Sequence, residues 1–239
     1  MSSVVHILCS DTARIGKTLL ARVFADLASL RREDNRVIFD TDVSENGIIN
    51  YFPQKTRLID LSRISDQVAL FDTMMEAGDM SRDGPGGAHA PDFVVDVAAS
   101  ELGRFFDLFT DIGFERGARE AHLDVRIYYL VNWALKSLQR TDHIRSLVTS
   151  SRFFVVRNMG VQAFAFTPQP HEVDQVPQIE VGLFLNALSP EVLDLITETR
   201  FSFARFLSGE YKNLRHGPRT EIWRFLEEIH NRTSCVVSG

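Results

Sequence analysis

The residues from Val4 to Thr18 constrain this chain most. An apolar run, Val-Val-His-Ile-Leu-Cys, passes through a short polar stretch into Gly16-Lys17-Thr18 at the head of a segment with helical periodicity. A strand that feeds a loop opening a helix gathers backbone N–H groups and the positive end of the helix at one point, which suits an anion. Lys17 would then reach the outer phosphates of a nucleotide, and the Thr18 hydroxyl would ligate Mg²⁺. The full pattern of such a loop has a glycine five residues before Gly16; here that residue is Asp11.

The 239 residues, 44% hydrophobic and 24% charged, match a packed domain rather than a disordered chain. Residues 4–9 are too short and lack the basic flank of a signal peptide, and no apolar run approaches the ~18 residues of a membrane span. Cys9 and Cys235 make neither a disulfide framework nor a metal-ligand spacing, so a reducing cytoplasm is the expected compartment. The seven histidines are scattered with no ligand spacing among them. A net charge of −6 argues against wholesale nucleic-acid binding, but the charge is uneven. From Arg200 onward seven basic residues face four acidic ones, leaving −9 on the remainder. That basic C-terminal region is compatible with a nonspecific DNA contact; a solvated helical face is the plainer reading.

Along the chain, apolar runs at 4–10, 36–42, 57–61, 92–97, 125–132, 153–158 and 180–185 read as strands. Helical periodicity marks 19–30, 66–76, 101–112 and 137–150, and the last third reads as helices over 190–200, 202–209 and 220–231. Phe105, Phe106 and Phe109 follow one helical face and are expected to fill the core. Residues 79–91, with Gly84-Pro85-Gly86-Gly87, read as a loop. Strands without clean in/out alternation, joined by helices, predict a three-layer α/β/α fold with a mostly parallel twisted sheet. A single domain over 1–239 is expected, with the helices from about 190 packing on the same sheet. Ligands in such folds bind at the carboxyl ends of the strands, where Asp11–Thr18, Asp40, Asp42, Asp96 and Asn158 all fall.

With those residues placed, the chain resembles the ParA/MinD group of P-loop ATPases, whose motif Lys-Gly-Gly-Val-Gly-Lys-Thr falls on Thr12-Ala13-Arg14-Ile15-Gly16-Lys17-Thr18. The family's strand ending in Asp-x-Asp is similar to Asp40-Thr41-Asp42, its apolar strand ending in Asp to Phe93-Val94-Val95-Asp96, and its late-strand Asn to Asn158. The resemblance implies a nucleotide cradle from Asp11, Thr12, Ala13, Arg14, Ile15, Gly16, Lys17 and Thr18, with Asn158 reading adenine. It implies Mg²⁺ held through Thr18, Asp40 and Asp96, and catalytic roles for Lys17 and for Asp42, which would orient the attacking water. ATP and Mg²⁺ are the implied cofactors. An ATP-dependent homodimer that positions or segregates DNA, a plasmid or a protein assembly, with a further protein partner, is the implied behaviour.

The family's signature lysine falls on Thr12 and its two loop glycines on Ala13 and Arg14. Side chains there can obstruct close backbone approach unless the loop widens, and Arg14 could supply the missing contact to a partner's nucleotide. Two other readings stand beside this one. Ser10-Asp11-Thr12 before Gly16-Lys17-Thr18 echoes dethiobiotin synthetase-like ligases, and the departures at 11–14 also suit a degenerate P-loop scaffold without hydrolysis.

Overall fold

The computed structural model describes residues 3–31, 35–44, 47–80, 90–161 and 177–234. The Gly84–Gly87 stretch, most of the Pro- and Phe-rich segment before residue 177, His89, His171 and Cys235 lie outside the described residues.

Seven strands form one sheet: β1 (Val4–Cys9), β2 (Arg36–Asp40), β3 (Thr56–Leu58), β4 (Asp92–Asp96), β5 (Asp124–Leu130), β6 (Arg152–Asn158) and β7 (Leu183–Leu185). Their order is β3-β2-β4-β1-β5-β6-β7, and every pairing is parallel. β1 and β4 are buried along their whole length, which is why they are apolar on both faces apart from His6 and the two end residues of β4, Asp92 and Asp96. β1 pairs with β4 on one side and β5 on the other. The chain leaves β1 toward β2 on one side and later returns to its other side, so a crevice opens at the carboxyl end of β1.

One face of the sheet is covered by α2 (Ile64–Met80), α3 (Leu102–Asp111), α4 (Phe114–Glu120) and α5 (Leu135–Leu147). Phe71, Phe105, Phe106, Phe109 and Phe114 form an aromatic cluster there, with neighbouring centroids 5.1–6.2 Å apart. The other face is covered by α1 (Lys17–Arg31), α6 (Pro190–Thr197), α7 (Phe203–Leu207) and α8 (His216–Ser234), which share a buried cluster with Tyr128, Val156, Leu183 and Leu185 of the sheet. Two charged residues on the buried side of α1 fasten this layer. Arg22 donates to the carbonyls of Ile196 (2.6 Å) and Phe201 (3.2 Å), and Asp26 accepts from the Phe203 amide (2.6 Å) and the Ser202 hydroxyl (3.1 Å). Burial raises the Asp26 pKa, and those amide and hydroxyl donors oppose it.

The elements differ from the sequence expectation mainly at their ends. The strand expected over 36–42 stops at Asp40, because the Asp40 carboxylate turns back to accept the Asp42 amide (2.9 Å). The edge strand expected over 57–61 pairs only at 56–58. α4 has no counterpart in the sequence reading. Gly113 and Gly117 obscure it, yet Phe114 and Ala118 are buried, and the Glu115 carboxylate accepts the amides of Thr149, Ser150 and Ser151. Among the described residues no helix is long and apolar enough to cross a membrane.

Candidate functional site

The loop from Ser10 to Gly16 joins β1 to α1 at the crevice. Ile15 is 3% exposed and anchors the loop in the core beside Leu20 and Leu130. Gly16 has φ +101°, a conformation closed to ordinary side chains, and a Cβ there would lie 2.5 Å from Nδ2 of Asn158. Arg14, on the second glycine of the motif it resembles, takes φ +58° with its side chain exposed. The backbone thus keeps a glycine-like turn at Arg14, with the residue exposed rather than packed into the loop. Ala13 is also exposed.

The start of the loop is tied to the segment after β5. Asp11 accepts from the Ser137 hydroxyl of α5 (2.7 Å) and from Thr12 (3.2 Å). The Thr12 hydroxyl accepts from Nδ2 of Asn132 (2.7 Å), and its amide donates to the Ser10 hydroxyl (3.0 Å). Asp11 therefore directs its carboxylate to α5 rather than into the cradle. Asn132 in turn accepts the Ala134 amide across Trp133, which has φ +56°. A bulky residue in that region is uncommon and marks a turn held by its surroundings.

α1 begins at Lys17, and its first intrahelical bond runs from the Leu20 amide to the Gly16 carbonyl (3.1 Å). No acidic residue sits in its first turn to offset the positive helix end. Lys17 is half-buried, and its charge reaches Asp96, where it favours the ionised carboxylate. Thr18 donates from Oγ1 to Oδ2 of Asp96 (2.7 Å).

Asp96 ends β4 and is 3% exposed, and its Oδ1 has no hydrogen-bond partner. Burial raises its pKa, with Lys17 and Thr18 opposing and Asp42 adding to the rise. A buried carboxylate oxygen left unsatisfied beside a threonine hydroxyl is the donor set that a hard divalent cation takes, directly or through water. The residues present therefore fit Mg²⁺.

Asp40 is the register partner of Asp96 on the neighbouring strand, so both project to the same face. It is fully buried and accepts the amides of Asp42 (2.9 Å) and Ile49 (3.1 Å); a Cβ on Gly47 would lie 2.1 Å from its Oδ2. Its pKa is pushed up to about 6, first by burial and then by the charge of Asp96, against the amides of Asp42 and Ile49. Asp42 is half-buried and accepts from the amide (3.0 Å) and hydroxyl of Ser44.

Asn158, at the end of β6, donates from Nδ2 to the Ile15 carbonyl (3.0 Å) and accepts the Gly160 amide (2.9 Å). The structure thus brings together the loop, Thr18, Asp96, Asp40 and Asn158, while Asp42 is folded into its own turn. Asn132, Ser137 and Thr41 escape the sequence reading. Thr41 accepts the Ala98 amide (2.8 Å) and donates its own amide to the Asp96 carbonyl (3.1 Å), fixing the end of β4. No local pattern marks these three, because their partners are 57–126 residues away.

In the basic C-terminal region, Arg205 pairs with Glu210 (2.7 Å) and Arg232 with Glu228 (3.1 Å). Arg219 donates to the carbonyls of Tyr211 (2.7 Å) and Lys212 (3.2 Å). Much of that charge is engaged within the chain.

No protein-family model and no curated relative matches the sequence. Among solved structures, the chain is similar to one titled a MinC:MinD cell division protein complex from Aquifex aeolicus, at 13% identity and TM-score 0.42, covering 96% of each chain. It is similar to a ParA family ATPase from Chlorobium tepidum TLS, at 12% identity and TM-score 0.44, covering 95% of this chain and 99% of that one. It is also similar to a plasmid partition protein from Borrelia burgdorferi, at 14% identity and TM-score 0.39, covering 97% of this chain and all of that one. At such identities the likeness is one of chain course, and the chemistry of the site rests on its own geometry.

Proposed function

We propose that this chain binds ATP with Mg²⁺ at the Gly16–Thr18 edge and acts in the cytoplasm as a slow ATPase of the ParA/MinD type. Nucleotide occupancy would switch a homodimer that positions or segregates DNA, a plasmid or a protein assembly. The observation that carries this reading is Asp96, buried at the end of β4 with Oδ1 unpartnered, and bonded to Thr18 beside Lys17 at the start of α1. Thr18 and Asp96 would hold the ion, with Asp40 adjacent on β2. Bound there, Mg²⁺ would neutralise phosphate charge. Lys17 and the free amides of the first turn of α1 would grip the β- and γ-phosphates.

Exposed apolar residues on the same edge support the dimer. Val43 is 55% exposed, Ile64 75% and Met159 46%, and each follows the carboxyl end of a strand. Arg14, exposed in the loop, would supply the contact to a second subunit's phosphates that Thr12 lacks. A switch needs only that its two states differ in affinity for ATP, so slow turnover suffices.

Binding without hydrolysis is the second reading, and a specific observation favours it. Oδ1 of Asp42 accepts both the amide and the hydroxyl of Ser44, which leaves only Oδ2 to orient an attacking water, and Thr12 stands in place of the family's signature lysine with its hydroxyl bonded to Asn132.

Titration with a fluorescent ATP analogue in millimolar Mg²⁺ tests the core claim, with Lys17→Ala as the control. Saturable binding lost in the variant is expected; no binding by the native chain, or equal binding by both, overturns it. Light scattering with ADP and then a non-hydrolysable ATP analogue tests the dimer, and phosphate release separates the two readings. A shift of nonspecific duplex DNA present only with ATP would extend the switch to DNA.

A further inference from the structure

On α5, Lys136, Arg140 and His143 follow one another at spacings of four and three residues, which puts them on one face of the helix. With Gln139 and Asp11 they line a recess of about 540 Å³. Lys136, Gln139 and His143 are exposed, and Arg140 is half-buried. A Cβ on Gly103, in the first turn of α3, would lie 3.2 Å from a guanidinium nitrogen of Arg140. The missing side chain there leaves Arg140 room to lie against α3.

Among the described residues, the side chains of Lys136, Gln139, Arg140 and His143 have no hydrogen-bond or ion-pair partner. On a chain of net charge −6, such a stripe is the exception. The first turn of α5 holds no acidic residue, so Lys136 adds to the positive end of the helix. Asp142, the one acid of α5, does not line the recess. The carboxylate that does, Asp11, is already held by the hydroxyls of Ser137 (2.7 Å) and Thr12 (3.2 Å). The cations of the stripe are left for something from outside the chain.

We propose that this face of α5 is a docking site for an acidic segment of a protein partner, and that docking changes the affinity for ATP. Carboxylates of the segment pair with Lys136 and, in a bidentate fork, with Arg140, while Gln139 and His143 donate beside them. Recognition of acidic segments by clustered cations is a recurring mode. A peptide side chain can enter the recess. Duplex DNA needs a long basic surface, and it meets a body that carries −9 outside the C-terminal region. Asp11 joins the two events, because it lines the recess and belongs to the loop. The effect on ATP rests on the nucleotide reading; the docking does not.

Fluorescence anisotropy of the full chain with fluorescein-labelled deca-glutamate, at low salt, tests the docking. Saturable binding is expected, weakened at least about tenfold when Lys136→Gln and Arg140→Gln are combined. Lys212→Gln with Arg215→Gln removes the same charge from the exposed C-terminal region and should change binding less than about twofold. No saturation up to about 1 mM overturns the proposal. So does an equal loss in both double variants, or a labelled ten-base-pair duplex that binds more tightly than the peptide through Lys136 and Arg140. Saturating peptide should shift the affinity for the ATP analogue at least about threefold, and Ser137→Ala should abolish that shift while the peptide still binds. An unshifted affinity overturns the link to ATP. A chain that binds the peptide but no ATP analogue overturns the nucleotide reading and the link together, and the docking stands.

Discussion

Asn158 holds the carbonyl of Ile15 from 143 residues away, its amide nitrogen 3.0 Å from that oxygen and its own oxygen fixed by the Gly160 amide. The end of β6 is therefore a brace for the loop, whatever else it reads. Asn158→Ala removes both hydrogen bonds and leaves the Ile15 carbonyl and the Gly160 amide without that partner, which costs about 1–3 kcal/mol. Urea unfolding should show that loss. Titration with the ATP analogue should show weaker binding, since a looser loop must be ordered as the ligand binds.

Gly16 is held by two independent constraints, its φ of +101° and the Asn158 nitrogen 2.5 Å from where a methyl group would sit. Gly16→Ala is expected to destabilise by at least about 1 kcal/mol from the backbone alone. A double-mutant cycle separates the two effects. In the Asn158→Ala background the collision is gone and only the backbone strain remains, so the alanine should cost less there than in the native chain. Equal costs in both backgrounds would mean that the amide side chain swings away freely.

Arg14 adopts its left-handed backbone with no contact among the described residues that compensates it. Arg14→Gly should raise stability by about 1 kcal/mol, read as a higher urea midpoint with unchanged slope. If the guanidinium serves a second subunit's phosphates, the same variant should lose ATP-dependent dimerisation in light scattering while still binding ATP.

Asp40 makes stability depend on pH in a definite direction. Its pKa in the fold is about 6 against an ordinary 3.8, so between those values the folded chain holds more protons than the unfolded one. Its contribution is greatest below pH 4 and is lost as pH rises through 6, by up to about 3 kcal/mol. Asp40→Asn cannot ionise. Its stability relative to the native chain should therefore climb between pH 4 and pH 6.5 in urea titrations, and a flat difference would show that the carboxylate is not perturbed.

Much of the architecture is legible in the sequence because it is locally encoded. The apolar strands at 4–9 and 92–96, the Phe105/Phe106/Phe109 face and Gly16-Lys17-Thr18 each carry their own pattern, and the parallel sheet follows from them. Thr18 and Asp96 stand out in the sequence and are bonded in the structure. The rest depends on who stands next to whom. Asn158 reads in sequence as a base contact and is found bracing Ile15; Asp40 reads as a metal-site carboxylate and is also the acceptor that turns the chain toward Ile49. Asp11, which in sequence stands where the loop pattern has a glycine, is drawn off by a serine on α5. Contacts across a hundred residues leave no trace in a window of ten.

The pair of bonds from Ser137 to Asp11 and from Asn132 to Thr12 has a mechanical consequence. The leading half of the loop is bolted to the first turn of α5 through Ser137 and to the segment just before it through Asn132. Any shift of that half must drag the helix along or snap two side-chain bonds, worth together about 2 kcal/mol. Force applied at either end is felt at the other: a molecule gripping the outer surface of α5 would alter how tightly the loop closes on its anion, and closure would reshape that surface in return.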